Sequence, residues 1–317
     1  MLLEPISGPS AWNRETIIGK QGFACGLSEA HLQAIEHVLD KTRSMPPQSV
    51  ERRHFDHPLL NRMLAAIKHE IIHGRGVVII QGLSRDRFSP DELERICWGF
   101  GTHWGSAHSQ SLDGDRLGRI RNENVEEGYK STGELTFHCD LFQILALMCV
   151  QRAESGGLTR LANALAIHNA ILKARPDLLA ALYRGFYYAT EAANEVISRT
   201  PIPVFSCREG QVSCMYLSGY MWKAATLMNV ALPADLGEAL ELFDRAAEEL
   251  SVEFLLEPGE MLVCHNFSTL HSRTSFTDSA QRKRYLLRLW LSLPDGRPFD
   301  RAVAERGDYY DRLLGGQ

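Results

Sequence analysis

The sequence lacks most of the signatures that would place a chain quickly. Neither sign of charge dominates: 34 Lys and Arg face 39 Asp and Glu, a formal net charge of −5. That balance gives no electrostatic footprint for nucleic acid or an anionic membrane surface. No apolar run reaches ~18 residues without a charge, so no membrane-spanning helix is expected. The opening "MLLEPISGPSAWNRE" lacks a basic region followed by an apolar block, which argues against a signal peptide. There is no GxGxxG, no Walker sequence, no repeat and no low-complexity linker. The Ser, Cys and Lys residues form no elbow or triad signature, so nucleophilic catalysis has no support. The 7 cysteines are odd in number, scattered, and never paired as CxxC. Free buried thiols in a reducing cytoplasm are the expectation.

What is present is an ordinary globular composition, 44% apolar and 23% charged over 317 residues. That length fills one large domain or two small ones. The first 100 residues read as mainly helical. "LSEAHLQAIEHVLDK" offers Ser28 as N-cap and sets Leu32, Ile35, Val38 and Leu39 on one stripe. "HPLLNRMLAAIKHEIIHG" does the same with Leu60, Leu64, Ile67 and Ile71 and stops at Gly74. "GVVIIQG" is a short buried strand, and "SPDELERICWGFG" opens on a capping box, Ser89 with Glu92. Beyond residue 117 strand patterns take over, at 135–150, 185–190, 203–207, 211–217, 252–256, 260–265 and 282–293. Helices are expected near 163–174 and 234–250. The class expected is mainly β with flanking helices, a sandwich or barrel in one domain.

Chemistry enters at "GELTFHCDLFQILALMCV", where His138 and Asp140 begin an otherwise apolar run. On a strand, residues i and i+2 share a face, so both can reach one metal ion while Cys139 turns away. A second HxD, His54 to Asp56, stands in a polar stretch before Pro58, with no buried strand around it. A facial triad on Fe(II) needs a third, distant ligand, usually His. "MLVCHNFSTLHSRTSF" supplies two candidates, His265 and His271. "QRKRYLLRLWLSL" then carries Arg282, Arg284 and Arg288 in a strand. Arg284 and Arg288 share a face, roughly 13 Å apart at ~3.3 Å per residue. Guanidinium groups turned into a core call for anionic partners. Arg273 reads as a solvated or structural charge. His31, His37, His69 and His168 fall on helices with polar neighbours and read as surface. In "HWGSAHSQS", His108 and Gln110 are candidates for lining a substrate pocket.

"FHCD", "SGGLTR", "LHSRTSF" and "RKRYLLRLWL", in that order, resemble the taurine dioxygenase-like (TauD/TfdA) family of Fe(II)- and 2-oxoglutarate-dependent oxygenases. The resemblance spans roughly residues 75 to 296. It implies a double-stranded β-helix, a distorted jelly roll with supporting helices. It implies one oxygenase domain over 1–317: a helical lead-in over 1–100, a jelly-roll core over about 101–296, and a C-terminal tail over 297–317. His138, Asp140 and His271 match the metal ligands. Arg284 and Thr159 match the residues that hold the distal carboxylate of 2-oxoglutarate, and Arg288 matches a position that in several relatives binds an acidic group of the substrate. Cys139 stands where Thr is commoner, and the presence of Asp140 argues against halogenation.

The implied cofactors are Fe(II), 2-oxoglutarate as cosubstrate, and O2. The implied reaction hydroxylates a small, anionic organic acid, amino acid or natural-product intermediate, with release of succinate and CO2. The alternatives are desaturation or ring formation with the same cofactors, a cupin-type metal hydrolase or isomerase, and a non-catalytic metal- or 2-oxoglutarate-binding protein. No nucleic-acid or membrane partner is expected; a homo-oligomer is compatible with the sequence.

Overall fold

A computed structural model describes residues 1–111, 114–125, 128–189 and 196–314. Its helices are α1 (Glu29–Thr42), α2 (Pro58–His73), α3 (Pro90–Trp104), α4 (Ala164–Ala174), α5 (Pro176–Arg184), α6 (Ser218–Leu227), α7 (Ala234–Leu250) and α8 (Arg301–Leu313). The first strands are β1 (Ala24–Gly26), β2 (Val77–Gln81), β3 (Ser106–Ala107), β4 (Gly118–Arg121), β5 (Leu135–His138), β6 (Ile144–Gln151), β7 (Ser155–Gly156) and β8 (Thr159–Asn163). The rest are β9 (Phe205–Arg208), β10 (Gln211–Cys214), β11 (Val252–Phe254), β12 (Met261–His265), β13 (Thr269–Arg273), β14 (Phe276–Thr277) and β15 (Tyr285–Ser292).

The early helices form as their caps and stripes require. Ser28 accepts from the His31 N–H, and the His31 ring accepts from the Ser28 N–H, a capping box closed by an imidazole. Ser89 and Glu92 close the usual version at α3. The stripe residues Ile35, Val38, Leu60, Leu64, Ile67, Ile71, Leu93, Ile96, Cys97 and Phe100 are all buried. α2 does stop at Gly74, but not through a left-handed residue, since its φ is −100°. The Glu70 carboxylate lies where a Cβ of residue 74 would stand, so a larger residue there would displace that flexible side chain.

Two sheets carry the rest. The larger has spatial order β1-β2-β12-β6-β15-β3, with β4 also on β15. The smaller has order β11-β8-β13-β5. The period of two in a strand separates the faces of the larger sheet. Val78, Ile80, Met148, Val263, Leu287 and Leu289 pack with α1, α2 and α3. Their neighbours Val77, Ile79, Cys149, Leu262 and Leu286 pack instead with Leu161, Val252 and Phe254 of the smaller sheet. The outer face of the smaller sheet, through Phe137, Ala162 and Leu270, packs with α4, α5 and α7. The layers are therefore helix, sheet, sheet, helix, and the inward faces of the two sheets oppose one another.

Several expectations need correction. The segment 135–150 is two strands, β5 and β6, with residues 139–143 irregular between them, so Asp140 lies just past a strand end. Over 185–190 there are only the isolated bridges Phe186–Ile202 and Ala189–Ile197; residue 190 lies outside the described residues. The strand over 211–217 stops at Cys214, and α6 follows at Ser218. α5, α6 and α8 were not anticipated, and α8 occupies most of the expected tail. β8 and β13 were missed because, Leu161 apart, their inward positions are the polar Thr159, Asn163, Thr269, His271 and Arg273, so the apolar alternation that marks a strand is absent. His168 is not on the surface. It is fully buried, its Nε2 sits 3.0 Å from the Tyr183 hydroxyl, and burial pushes its pKa down to about 4. All seven cysteines are free thiols. Among the described residues no helix is long and apolar enough to cross a membrane.

Candidate active site

The opposed inner faces converge at one end on His138, Asp140 and His271. β13 lies beside β5 with His271 registered against His138. Phe137 and Leu270 point to the helical side, so the following residue of each strand points between the sheets. The two imidazole rings are 4.2 Å apart, centroid to centroid. One ligand atom from each of His138, Asp140 and His271 falls within 4.8 Å of the others. The irregular turn after His138 brings Asp140 into the cluster. Cys139 turns the other way, into the core beneath α7, where its thiol meets Cys214.

The donor atoms are prepared for a cation. The Thr136 carbonyl can only accept, so the Nδ1 of His138, 2.8 Å away, must donate, which leaves Nε2 as the ring nitrogen not committed to the backbone. Burial, with His138 close by, pushes the His271 pKa down to about 3, so that ring is neutral near pH 7. Its Nε2 is 3.5 Å from Asp140 Oδ2. Burial opposes charge on Asp140, yet His271, Arg288, His138 and the Trp290 N–H together hold its carboxyl below the usual value. Two imidazoles and one carboxylate form a donor set that fits Fe(II).

The Trp290 indole N–H donates to Asp140 Oδ2 at 2.7 Å. Trp290 sits on β15 two residues after Arg288, on the same face. The Arg288 guanidinium lies 3.9 Å over the Trp290 ring and 4.5 Å from the ring of Tyr129. Its Nε donates to Gln110 Oε1 at 2.7 Å, while its Nη2 is buried without a partner.

Arg284 stands four residues earlier, also buried. Among the described residues its guanidinium makes no hydrogen bond or ion pair, only a contact 5.3 Å from the Phe276 ring. Burial pushes its pKa down to about 10, so it remains charged near neutrality. Thr159, His138, His271, Arg284 and Arg288 line one narrow cavity between the sheets. A larger cavity of about 370 Å³ opens from the same centre. His138, Asp140, Arg288 and Trp290 form its floor, and Tyr129, Lys223 and Tyr310 are among its walls.

The remaining candidates fall elsewhere. His265 is buried, its Nδ1 accepts from the Phe267 N–H, and it is not part of the cluster. His54 accepts from the Glu51 N–H and Asp56 from the Asn61 amide, both at the surface, so the second HxD assembles nothing. Arg273 is buried rather than solvated, donating to the carbonyls of Tyr129, Ser131 and Gly133. Arg282 lies outside β15, exposed and near Glu154. His108 and Gln110 do not line the cavities; both brace them. His108 is held between Ser292 Oγ at 2.6 Å and Asp311 at 3.1 Å. Gln110 fixes Arg288. Sequence reasoning missed Trp290 and the wall residues Tyr129, Lys223 and Tyr310. Trp290 alone left a signal, since it follows Arg288 at the same-face interval of two.

The family model described as taurine catabolism dioxygenase TauD, TfdA family matches residues 41–290. FR-33289 synthase of Streptomyces rubellomurinus is 26% identical over 325 residues, covering 96% of this chain and 95% of that protein. Taurine hydroxylase-like protein SAT17 of Stachybotrys chartarum is 27% identical over 308 residues, covering 90% and 79% respectively. The crystal structure of asparagine oxygenase with Fe(II), 2S,3S-3-hydroxyasparagine and succinate has a TM-score of 0.70 at 17% identity, over 85% of this chain and 93% of that one. At that identity the likeness is one of fold.

Proposed function

This chain belongs to the taurine catabolism dioxygenase TauD, TfdA family, and we propose that it hydroxylates a small anionic molecule at a centre made by His138, Asp140 and His271. It is a dioxygenase, and its cofactors are Fe(II), 2-oxoglutarate and O2. The observation that carries the site reading is the coincidence of two things in one cavity. A His-Asp-His cluster stands beside Arg284, a buried guanidinium with no anionic partner among the described residues.

On this reading His138 Nε2, His271 Nε2 and an Asp140 oxygen hold the metal. Arg284 and Thr159 take the distal carboxylate of 2-oxoglutarate. The fork of Arg284 suits a bidentate, charge-assisted pair, which a buried site strengthens. When bound, iron with 2-oxoglutarate and O2 supplies the oxidising power, consuming the cosubstrate to succinate and CO2 and inserting oxygen into substrate. The chain's own residues do the positioning. Trp290 donates to Asp140 Oδ2 and so would fix the orientation of the carboxylate that holds the metal. Gln110 and the two aromatic faces fix Arg288, whose unpaired Nη2 is available to an acidic group of the substrate. The walls of the larger cavity keep bulk water from the reacting face. Its volume lies in the ordinary range for small ligands. The asparagine oxygenase structure, which holds a hydroxylated amino acid, supports an amino acid or related acid as substrate.

The same reading extends to architecture. The two facing sheets are taken as a double-stranded β-helix, and the packing of α1 to α3 on the larger sheet supports a single oxygenase domain. Seven free thiols support a reducing compartment, the cytoplasm.

The test is a screen of small organic acids and amino acids for succinate release under Fe(II), 2-oxoglutarate and O2. Substrate-dependent succinate with an oxygenated product is expected. No succinate from wild type, together with no anaerobic Fe(II)–2-oxoglutarate absorbance, would sink the reading.

A further inference from the structure

Away from the metal centre, α8 carries a second basic cavity of about 410 Å³. Arg199, Arg306, Arg312, Ser198, Thr200 and Tyr309 contribute to its lining. Arg306 is its buried member, 4% exposed. The Nε and Nη2 of Arg306 are buried and make no hydrogen bond. Among the described residues no carboxylate pairs with it. Only aromatic rings flank the guanidinium, Tyr309 at 5.7 Å and Tyr310 at 6.0 Å. Burial works against its charge and lowers its pKa.

The cavity's own acids do not compensate. Glu305 and Asp308 are exposed, and Glu305 already meets Arg301 at 2.8 Å. A guanidinium does not lose its proton to escape burial, and a buried charge without a partner is costly. Arg306 is nonetheless a lining residue of the cavity, so an anion entering there is placed to supply the missing pair.

We propose that this cavity binds a compact oxyanion, phosphate-like or carboxylate, on the guanidinium of Arg306, with Arg199 and Arg312 as cationic neighbours. The site is separate from the metal centre: Arg306 lines neither cavity there, and Arg284 and Arg288 do not line this one. The two are nonetheless adjacent. Tyr310 stands one helical turn beyond Arg306 and forms part of the substrate cavity wall. The oxyanion is either a free ion or the far end of a substrate that passes this tyrosine.

The experiment uses the full chain saturated with Mn(II) and 2-oxoglutarate under argon, so that Arg284 is occupied. Inorganic phosphate is titrated by equilibrium dialysis, with ionic strength fixed by potassium chloride. Wild type is expected to bind phosphate saturably, and Arg306→Met to bind it about ten-fold more weakly, the loss of one charge-assisted pair. Arg306→Lys should be intermediate, since a point charge lacks the fork. Arg199→Gln, an exposed change that leaves folding intact, should weaken binding a few-fold. Equal phosphate binding by wild type and Arg306→Met overturns the proposal, as does the absence of saturable binding to wild type. For a substrate that releases succinate, an unchanged KM in Arg306→Met assigns the site to a free ion. A raised KM with kcat retained assigns it to the substrate's own anionic end. Because the dialysis reads phosphate and not turnover, its outcome is independent of which molecule is oxidised.

Discussion

Trp290 and Asp140 are joined across the sheets by a single hydrogen bond, indole N–H to Oδ2, 2.7 Å long. The bond ties the carboxylate of a candidate metal ligand to the segment that also carries Arg284 and Arg288. Trp290→Phe keeps the aromatic face under Arg288 but removes the donor. Loss of a bond that orients a ligand typically costs ~10–100-fold in metal affinity. We expect about ten-fold weaker Mn(II) binding with an unchanged far-ultraviolet spectrum. Unaltered affinity would mean that the carboxylate is held by other contacts.

The metal assignment separates near-identical motifs. His138→Ala, Asp140→Ala and His271→Ala should each abolish Fe(II) binding and turnover. Asp56→Ala should change neither. His265→Ala should keep the metal, because the His265 ring is committed to the Phe267 N–H. Metal content after anaerobic loading distinguishes these variants, and loss of iron in His265→Ala alone would reverse the choice of third ligand.

The two arginines should divide their work. Arg284→Ala is expected to raise the KM for 2-oxoglutarate by roughly ten- to a hundred-fold, the worth of a charge-assisted pair. Arg284→Lys should rescue only part of this. Arg288→Ala should leave that KM within a few-fold, but weaken substrate binding or let succinate form without product. The reverse pattern would exchange the two roles.

Acid should find a weak point far from the iron. His168 has a folded pKa of about 4, against an ordinary value near 6.5. It binds a proton more weakly when folded, so the unfolded chain takes up more protons as pH falls. Its contribution to stability is whole above ~6.5 and is lost progressively toward ~4, to a limit of roughly 3 kcal/mol. Urea unfolding of wild type and His168→Gln should show the variant's deficit at pH 7 shrinking by pH 5. A deficit constant across that range would mean that His168 does not titrate on unfolding.

Much of this was legible in the sequence because one-dimensional spacing maps directly onto faces of elements. The caps at Ser28 and Ser89 and the stripes that follow them needed no tertiary information. His138, His271, Thr159, Arg284 and Arg288 share one cavity because strand alternation sends each of them inward. The same inward polarity hid β8 and β13, since a strand that serves a site loses the apolar rhythm that would reveal it. His168 was misread because polar neighbours along a helix do not report on the layer packed over it. Tyr129 and Tyr310 belong to the cavity only through long-range folding, and no local pattern marks them.

α8 gives the molecule a division of labour between its two ends. Every candidate iron ligand lies before residue 272, yet Tyr310 walls the substrate cavity and Asp311 steadies His108. Part of the larger cavity's wall is therefore written in a stretch of chain that lies beyond every candidate ligand. Exchange of this helix between relatives would change that wall at Tyr310 without replacing a candidate ligand.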